Sequence, residues 1–257
     1  MIACLLALPA GSQAMDLRIA AELMHFDYEE TDSAGNKLNQ ETGYIPGLTL
    51  AASRPYRSIF NTLEFSIYDG EVDYDGRTQT GQPHQTTTEQ NILRLLYRLS
   101  WSPQDMKGAL YGKVYWQQWD RDIQPNNNVL GLFERYRWWT LEVGMQIPFI
   151  KDQRRNLLFE IGALATTNGT IKIDLSELGY GEPTLDLGND YGFSAKLKYE
   201  ILYTRNSSFQ FGLQIRRWEF GRSNSKTVSD GTSEIIITEP DSTSMHTILS
   251  AGYRYHF

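Results

Sequence analysis

The 257-residue chain has one cysteine, Cys4, and none from Met15 onward. A thiol-free chain suits passage through an oxidising compartment, where stray thiols form wrong bridges. No run of about 18 apolar residues occurs. With a mean hydropathy of −0.44, this excludes a helical membrane protein. There is no block of Lys or Arg. With 24 basic against 31 acidic side chains and a net charge of −7, the electrostatic footprint of a nucleic-acid binder is missing. No segment carries an apolar stripe of 3.6-residue period over a helix length. Zinc-type Cys/His spacing, a Gly-rich phosphate loop and a dinucleotide fingerprint are all lacking, so no metal and no cofactor is expected. Asp186-Leu187-Gly188-Asn189-Asp190 is rich in oxygen atoms but lacks calcium-loop spacing and reads as a turn.

What is present begins with positions 2–10, IACLLALPA, followed by Gly11-Ser12-Gln13-Ala14. A short apolar stretch with small residues one and three places before a cut has the form of an export signal. Positions 1–14 are expected to be a signal-peptide remnant and 15–257 a single domain.

That domain alternates. In 91–102, Leu93, Leu95, Tyr97, Leu99 and Trp101 share one face, while Arg94, Leu96, Arg98 and Ser100 share the other. A period of two predicts a strand. The pattern recurs in 17–23, 62–67, 110–117, 138–147, 157–163, 193–201, 209–216 and 248–257. It recurs also in 44–52, where Pro46 disfavours a central strand position unless it lies at a rim. The connectors sort by length. Those after even-numbered strands are short: 53–58, 102–108, 148–155 and 205–208. Those after odd-numbered strands are long and polar: 31–43, 73–89, 120–132, 167–190 and 221–244. Within the fourth long connector, 170–174 and 183–187 can form an extra hairpin. An all-β meander of ten strands with one short-turned and one long-looped end fits a closed antiparallel up-and-down transmembrane β-barrel. The Greek-key crossings of a soluble sandwich would mix short and long links. Hydrocarbon enforces closure, because every backbone N–H and C=O must find a partner within the protein.

The two faces then acquire roles. The apolar faces carry rings near strand ends, Trp101, Trp116, Trp139, Tyr199, Tyr203, Tyr253 and Tyr255, which suit interfacial girdles. The polar faces carry Arg18, Glu22, Glu64, Arg94, Arg98, Lys113, Glu142, Glu160, Lys196, Lys198, Glu200, Arg216 and Arg254, expected to line the lumen as a charge network. Charges in a confined lumen need partners. Glu64 is expected to meet Arg94 and Arg98, Glu160 to meet Lys196 and Lys198, Glu200 to meet Arg216, and Glu22 to meet Arg254 across the closing seam. Such an interior is largely plugged, with at most a narrow polar path.

The final strand, Leu249-x-Ala251-x-Tyr253-x-Tyr255-x-Phe257, resembles the C-terminal signature of bacterial outer-membrane β-barrel proteins. The resemblance implies a small porin-like or opacity-protein-like barrel of a Gram-negative bacterium, with both termini periplasmic and five extracellular loops. It implies that the barrel-insertion machinery reads Tyr253, Tyr255 and Phe257, and that outer-membrane lipid and lipopolysaccharide surround the wall. Three functions compete. One is adhesion, surface protection or partner binding by loops such as 73–89 and 226–244, toward an extracellular ligand the sequence does not identify. Another is a narrow channel for small solutes. The last is an enzyme: ten strands resemble the omptin proteases, whose signature pairs Asp-x-Asp in the second loop with Asp-x-His in the fourth. Asp73-Tyr74-Asp75 matches the first half, and His25 beside Asp27 is the other reachable base. The fourth connector holds Asp174, Asp186 and Asp190 but no His, so half of that site is missing and a non-enzymatic role is expected.

Overall fold

A computed structural model describes residues 15–78, 81–103, 106–126 and 129–257; the expected signal positions 1–14 lie outside them. In chain order the strands are β1 (Asp16–Thr31), β2 (Lys37–Tyr56), β3 (Ile59–Arg77), β4 (Pro83–Trp101), β5 (Ala109–Ile123), β6 (Leu132–Lys151), β7 (Arg155–Asp174), β8 (Thr184–Asp186), β9 (Tyr191–Thr204), β10 (Ser207–Phe220), β11 (Lys226–Ser229), β12 (Glu234–Ile237) and β13 (Asp241–His256). A single 3-10 turn covers Ser176–Leu178. Strands β1 to β7 pair with successive neighbours; then β7 pairs with β9, β9 with β10, β10 with β13, and β13 with β1. All pairings are antiparallel, so ten strands close into a barrel. The seam runs from Asp16↔His256 to Thr31↔Asp241 without a break. The short strand β8 extends β7 through Thr170↔Asp186, the hairpin that the fourth connector allowed, and β11 and β12 form a separate hairpin.

All ten alternating segments lie on barrel strands, but the strands run much further than the alternation did. The connectors expected at 31–43 and 73–89 are mostly strand: Gln40↔Asp75 and Asp75↔Gln85 are rungs of the ladder. The physical reason is a change of surroundings along each strand. A 20-residue strand at roughly 3.3 Å per residue and a 40° tilt rises about 50 Å, near twice the ~25 Å of apolar outer wall that such barrels carry. The outward face follows suit. On β1 it reads Leu17, Ile19, Ala21, Leu23 and then Asp27 and Glu29; on β5 it reads Leu110, Val114, Trp116 and then Asp120 and Asp122. Within the apolar belt Leu95, Val143 and Leu197 are 45%, 67% and 40% exposed. Aliphatic side chains turned outward on every strand require hydrocarbon around them, not water.

The lumen changes in the opposite sense. Beside the belt it holds Arg18, Glu64, Arg98, Lys113 and Glu160; beyond the belt it holds Phe26, Tyr28, Val72, Trp119, Tyr136, Ile171 and Trp218, all buried. The protein thus has ordinary soluble-protein polarity at its looped end and inverted polarity at its turn end. A bulge in β7 serves this change. Asn168 adopts a left-handed backbone (φ 52°), and the β6–β7 register shifts between Arg137 and Trp139. The extra residue switches the parity of β7, so that Thr166 points inward below the bulge and Ile171 and Ile173 above it. Pro46 is not at a rim: it lies inside β2, paired with Leu23 of β1. It is tolerated because the β2–β3 ladder has no rungs between Thr42↔Asp73 and Gly47↔Tyr68, so no partner awaits its missing N–H.

Lumenal tyrosines lie over glycines of neighbouring strands. A Cβ on Gly144 would fall 2.5 Å from the Tyr111 ring and 2.2 Å from the Ile161 carbonyl oxygen, and one on Gly47 would meet the Tyr68 ring at 2.3 Å. Gly144→Val is therefore expected to cost about 1–3 kcal/mol by overpacking. Its check is the thermal midpoint of the refolded barrel; a midpoint equal to that of the unaltered chain would reject this account.

Candidate functional site

The bore is bridged at four heights, each by side chains whose strand register sets their level. At the turn end lies a cavity of about 310 Å³, lined by Arg18, Glu64, Arg98, Lys196, Lys198 and Glu200 among others. Its ion pairs follow register rather than chain order. Arg18 and Arg254 oppose each other across the seam, a like-charged rung, and each takes a carboxylate from its other side. Arg18 bonds Glu64 at 2.7 Å; Arg254 bonds Glu200 at 3.3 Å and also Asp16, which His256 Nδ1 meets at 2.6 Å. Glu22 lies four positions further along β1, opposite Ser250, and accepts from the Tyr68 hydroxyl, which corrects the expected Glu22–Arg254 pair. Arg94 approaches Glu64 at 4.0 Å, but Arg98 reaches across the bore from β4 to Glu160 on β7 at 2.8 Å. Glu160 also faces Lys113 at 3.7 Å instead of binding either lysine of β9. Arg216 sits six residues up β10 from the Gln210↔Glu200 rung, too far for the expected Glu200 contact; it donates to Gln117 at 3.3 Å. Lys196 and Lys198 have no ion-pair partner within 4.0 Å among the described residues.

Above this, Glu142 is 1% exposed and accepts from Lys113 at 2.8 Å, Ser194 at 2.7 Å, Tyr111 at 3.0 Å and Tyr115. Four donors from two strands, β5 and β9, converge on one carboxylate of β6, so it ties the wall together through the lumen. Glu142→Leu leaves the buried Lys113 ammonium with Glu160 alone at 3.7 Å and strands three hydroxyls, and is expected to cost about 3 kcal/mol, the low end for breaking a buried pair. The denaturant midpoint tests it; a loss no larger than for the exposed pair Lys172–Glu182 would contradict it.

Next comes an aromatic layer. Rings of Phe26 and Tyr28 on β1 meet Trp119 on β5 at 5.6 and 5.1 Å; Trp119 stacks on Tyr136 of β6 at 4.6 Å. Trp138 of β6 meets Trp218 and Phe220 of β10 at 6.3 and 5.2 Å, and His246 of β13 touches both Phe26 and Trp218. Strands β1 and β5 are four places apart, so these contacts cross the bore. Leu185 and Leu187 from the fourth loop add to the layer.

At the looped end one guanidinium serves several acids. Arg121, 1% exposed, donates to Glu30 at 2.9 Å, Glu41 at 2.7 Å and Glu134 at 2.6 Å. Glu239, from the last loop, takes the Tyr136 hydroxyl at 2.6 Å and lies in the same cluster. This group stands beyond the belt. Burial is the first cause that raises the pKa of Glu41, Glu134 and Glu239; for Glu239 the neighbouring Glu30 and Glu134 charges add to it. Sequence reasoning missed the whole cluster because Glu41, Arg121 and Glu239 fall in segments read as loops, and Glu30 and Glu134 lie beyond the alternating segments. The signal was present as continued alternation: Phe26, Tyr28 and Glu30 keep the parity of Arg18 and Glu22, with polarity reversed.

The remaining expected residues are placed as follows. Trp101, Trp139, Tyr203, Tyr253 and Tyr255 are exposed on the outer wall at belt edges, and Trp116 is half-buried there. Tyr199 lies inside the belt, level with Phe211 and Leu157, and not at its edge. Tyr44 and Tyr191 join the looped-end edge at 66% and 77% exposure. Phe257 is exposed, its N–H bonded to the Met15 carbonyl at 2.9 Å. Asp73 and Asp75 project from the outer wall of β3, away from the bore. His25 stands two strands away, packed edge-on against Tyr44 at 5.1 Å, and the structure does not bring the three together. Among the described residues no group of three or more His, Cys, Asp and Glu is placed to hold a metal ion.

No protein-family profile matches the chain, and neither does any curated protein sequence. Solved structures do share its fold. The outer membrane protease OmpT from Escherichia coli aligns over 96% of this chain and 98% of its own, with a TM-score of 0.63 at 10% identity. The translocator domain of the autotransporter NalP from Neisseria meningitidis aligns over 96% of this chain and 89% of its own, with a TM-score of 0.50 at 11% identity. The chain has the outer-membrane β-barrel fold.

Proposed function

We propose that this is a non-conducting, non-enzymatic barrel of the bacterial outer membrane that acts through its looped end, by adhesion, surface protection or partner binding. In this reading positions 1–14 are the export signal and both termini face the periplasm. The insertion machinery reads Tyr253, Tyr255 and Phe257, and lipopolysaccharide packs around the upper belt. The observation that carries the reading is the aromatic layer: rings from β1, β5, β6, β10 and β13 meet across the bore at that height, which supports a closed lumen. The looped end is also built to be firm. The fourth and fifth loops are tied by Gly188 N–H to Gly221 O at 3.0 Å and Asn224 N–H to Asp186 O at 3.1 Å, which suits a presented surface.

A narrow channel is the second reading, favoured by the turn-end cavity and its charged lining. Planar-bilayer recording on the refolded chain separates the two. Silence is expected. A steady, ion-selective conductance would replace the first reading with the second. The protease reading draws on the shared fold alone, since Asp73 and Asp75 have no histidine partner on their face.

A further inference from the structure

We propose that the turn-end cavity is a binding site for a small soluble phosphate-bearing anion that enters from the side of the short turns. Four observations lead there. First, the cavity lining is cationic in a chain that is acidic overall. Seven Arg and Lys side chains line it against four carboxylates, Asp16, Glu64, Glu160 and Glu200. The whole chain, by contrast, carries a net charge of −7. The excess is therefore local and placed.

Second, the excess sits on identifiable atoms. Arg18, Arg98, Lys113 and Arg254 each bond a lumenal carboxylate, whereas the ammonium groups of Lys196 and Lys198 bond none among the described residues. These lysines are alternate residues of β9 and project side by side into the same cavity. Two ammonium groups in a confined bore, neither within 4.0 Å of a carboxylate among the described residues, are what a multivalent anion completes. Beside them, Arg94 keeps its Nε–H buried without an acceptor.

Third, the shape selects a ligand that binds rather than passes. The cavity of about 310 Å³ is at the small end of ligand pockets, and the aromatic layer closes the bore beyond it. Fourth, the wall beside it is closed. The ladders β1–β13, β13–β10 and β9–β7 are unbroken there and β10–β9 stays paired around one register shift at Ser207/Ser208, so a lipid headgroup has no lateral way in and a soluble anion is the source. Two ammonium groups without an ion pair, Lys196 and Lys198, favour a phosphate ester or pyrophosphate over a monocarboxylate. Gln210 and Ser250, which line the same space, supply neutral donors for the remaining oxygens.

The proposal does not depend on what the loops do. Its test is calorimetric titration of the folded full-length chain in detergent at low ionic strength with sodium pyrophosphate, inorganic phosphate and acetate. One site is expected, tightest for pyrophosphate and weakest for acetate, and weakening as salt is added. Lys196→Gln with Lys198→Gln should weaken pyrophosphate at least tenfold. Lys172→Gln, whose side chain pairs with Glu182 at the looped end, should change nothing. Glu200→Gln removes one carboxylate from the lining and should tighten binding severalfold, which decides the matter if the double variant does not refold. The absence of saturable binding by the folded chain overturns the proposal. So does equal affinity in the double variant and the Lys172 control, or a Glu200→Gln chain that binds no tighter. Conductance in the bilayer assay would overturn the closed-bore reading and remove the third observation, while the titrations still decide whether the site binds.

Discussion

A chain carrying Trp119→Ala, Tyr136→Ala and Trp138→Ala should pass a steady current where the unaltered chain passes none. These rings contribute the contacts that span the bore from β5 and β6 toward β1 and β10. What lies below them is polar. The Arg216–Gln117 bond and the Glu142 cluster are hydrogen-bond networks of charged and polar side chains. What lies above is the Arg121 cluster, whose Tyr136 strut the same substitution removes. Removing three large rings from a close-packed layer therefore takes away the apolar level of the lumen. The cost is substantial, about 3–5 kcal/mol for each ring, so folding has to be verified. Closure itself does not depend on the rings, because the ladders beside the belt are backbone hydrogen bonds. Retained heat-modifiable mobility would show an intact barrel. Trp101→Ala, on the outer wall, should leave the chain silent. A folded triple variant that stays silent would place the seal elsewhere and weaken the argument from ring contacts.

The same layer marks where the sequence stopped being legible. Ten strands, their order and the outward direction of Leu95, Val143 and Leu197 follow from a period of two, because one apolar face against lipid makes a strong alternating signal. Beyond the belt both faces change character at once. Asp27 and Glu29 replace aliphatics outside, and Phe26 and Tyr28 replace ions inside, so a reader looking for apolar-out sees the strand end. Only parity survives the change, and at Asn168 a bulge breaks even that. Charge pairing is less legible for a different reason: of the expected pairs only Glu64–Arg94 is met, at 4.0 Å. Chain order gives neighbours without register, and a barrel wall is staggered: Glu22 meets Ser250, not Arg254, and Glu200 meets Gln210, not a residue six places on. Contacts across the bore, such as Arg98–Glu160, join strands that are distant in sequence, and no local pattern encodes them. The Asp73 and Asp75 carboxylates illustrate the converse error. Their spacing matched a motif, but odd-numbered positions of β3 face outward, and that parity alone was enough to separate them from the lumen.

Glu239→Gln should keep the last loop docked at alkaline pH, where the unaltered loop comes away. Glu239 holds the loop by its backbone, donating to Ser223 Oγ at 2.8 Å and accepting from Ser223 N–H at 3.1 Å, while its carboxyl is buried against Tyr136. The groups facing it are Tyr28 and Glu30 of β1, Arg121 of β5, and Glu134 and Tyr136 of β6, with Glu41 of β2 and Tyr74 of β3 close by. One guanidinium among four carboxyls cannot neutralise them all, and Arg121 is already bonded to the other three. Burial, reinforced by Glu30 and Glu134, therefore raises the Glu239 pKa in the docked state, with Glu41 and Glu134 raised beside it. A carboxyl whose pKa is raised on docking favours the docked state fully below the ordinary glutamate pKa. That contribution is lost as pH rises through the raised value. The amides of Ser223 and Glu239, corrected for intrinsic exchange, should lose protection as pH rises in the unaltered chain and keep it in Glu239→Gln. Arg121→Leu pushes the other way: four acids without a cation should free the loop at neutral pH, with recovery on acidification. If protection in the unaltered chain is flat across the titration, or falls equally in Glu239→Gln, then the loop is held by its tie to the fourth loop and not by the state of this proton.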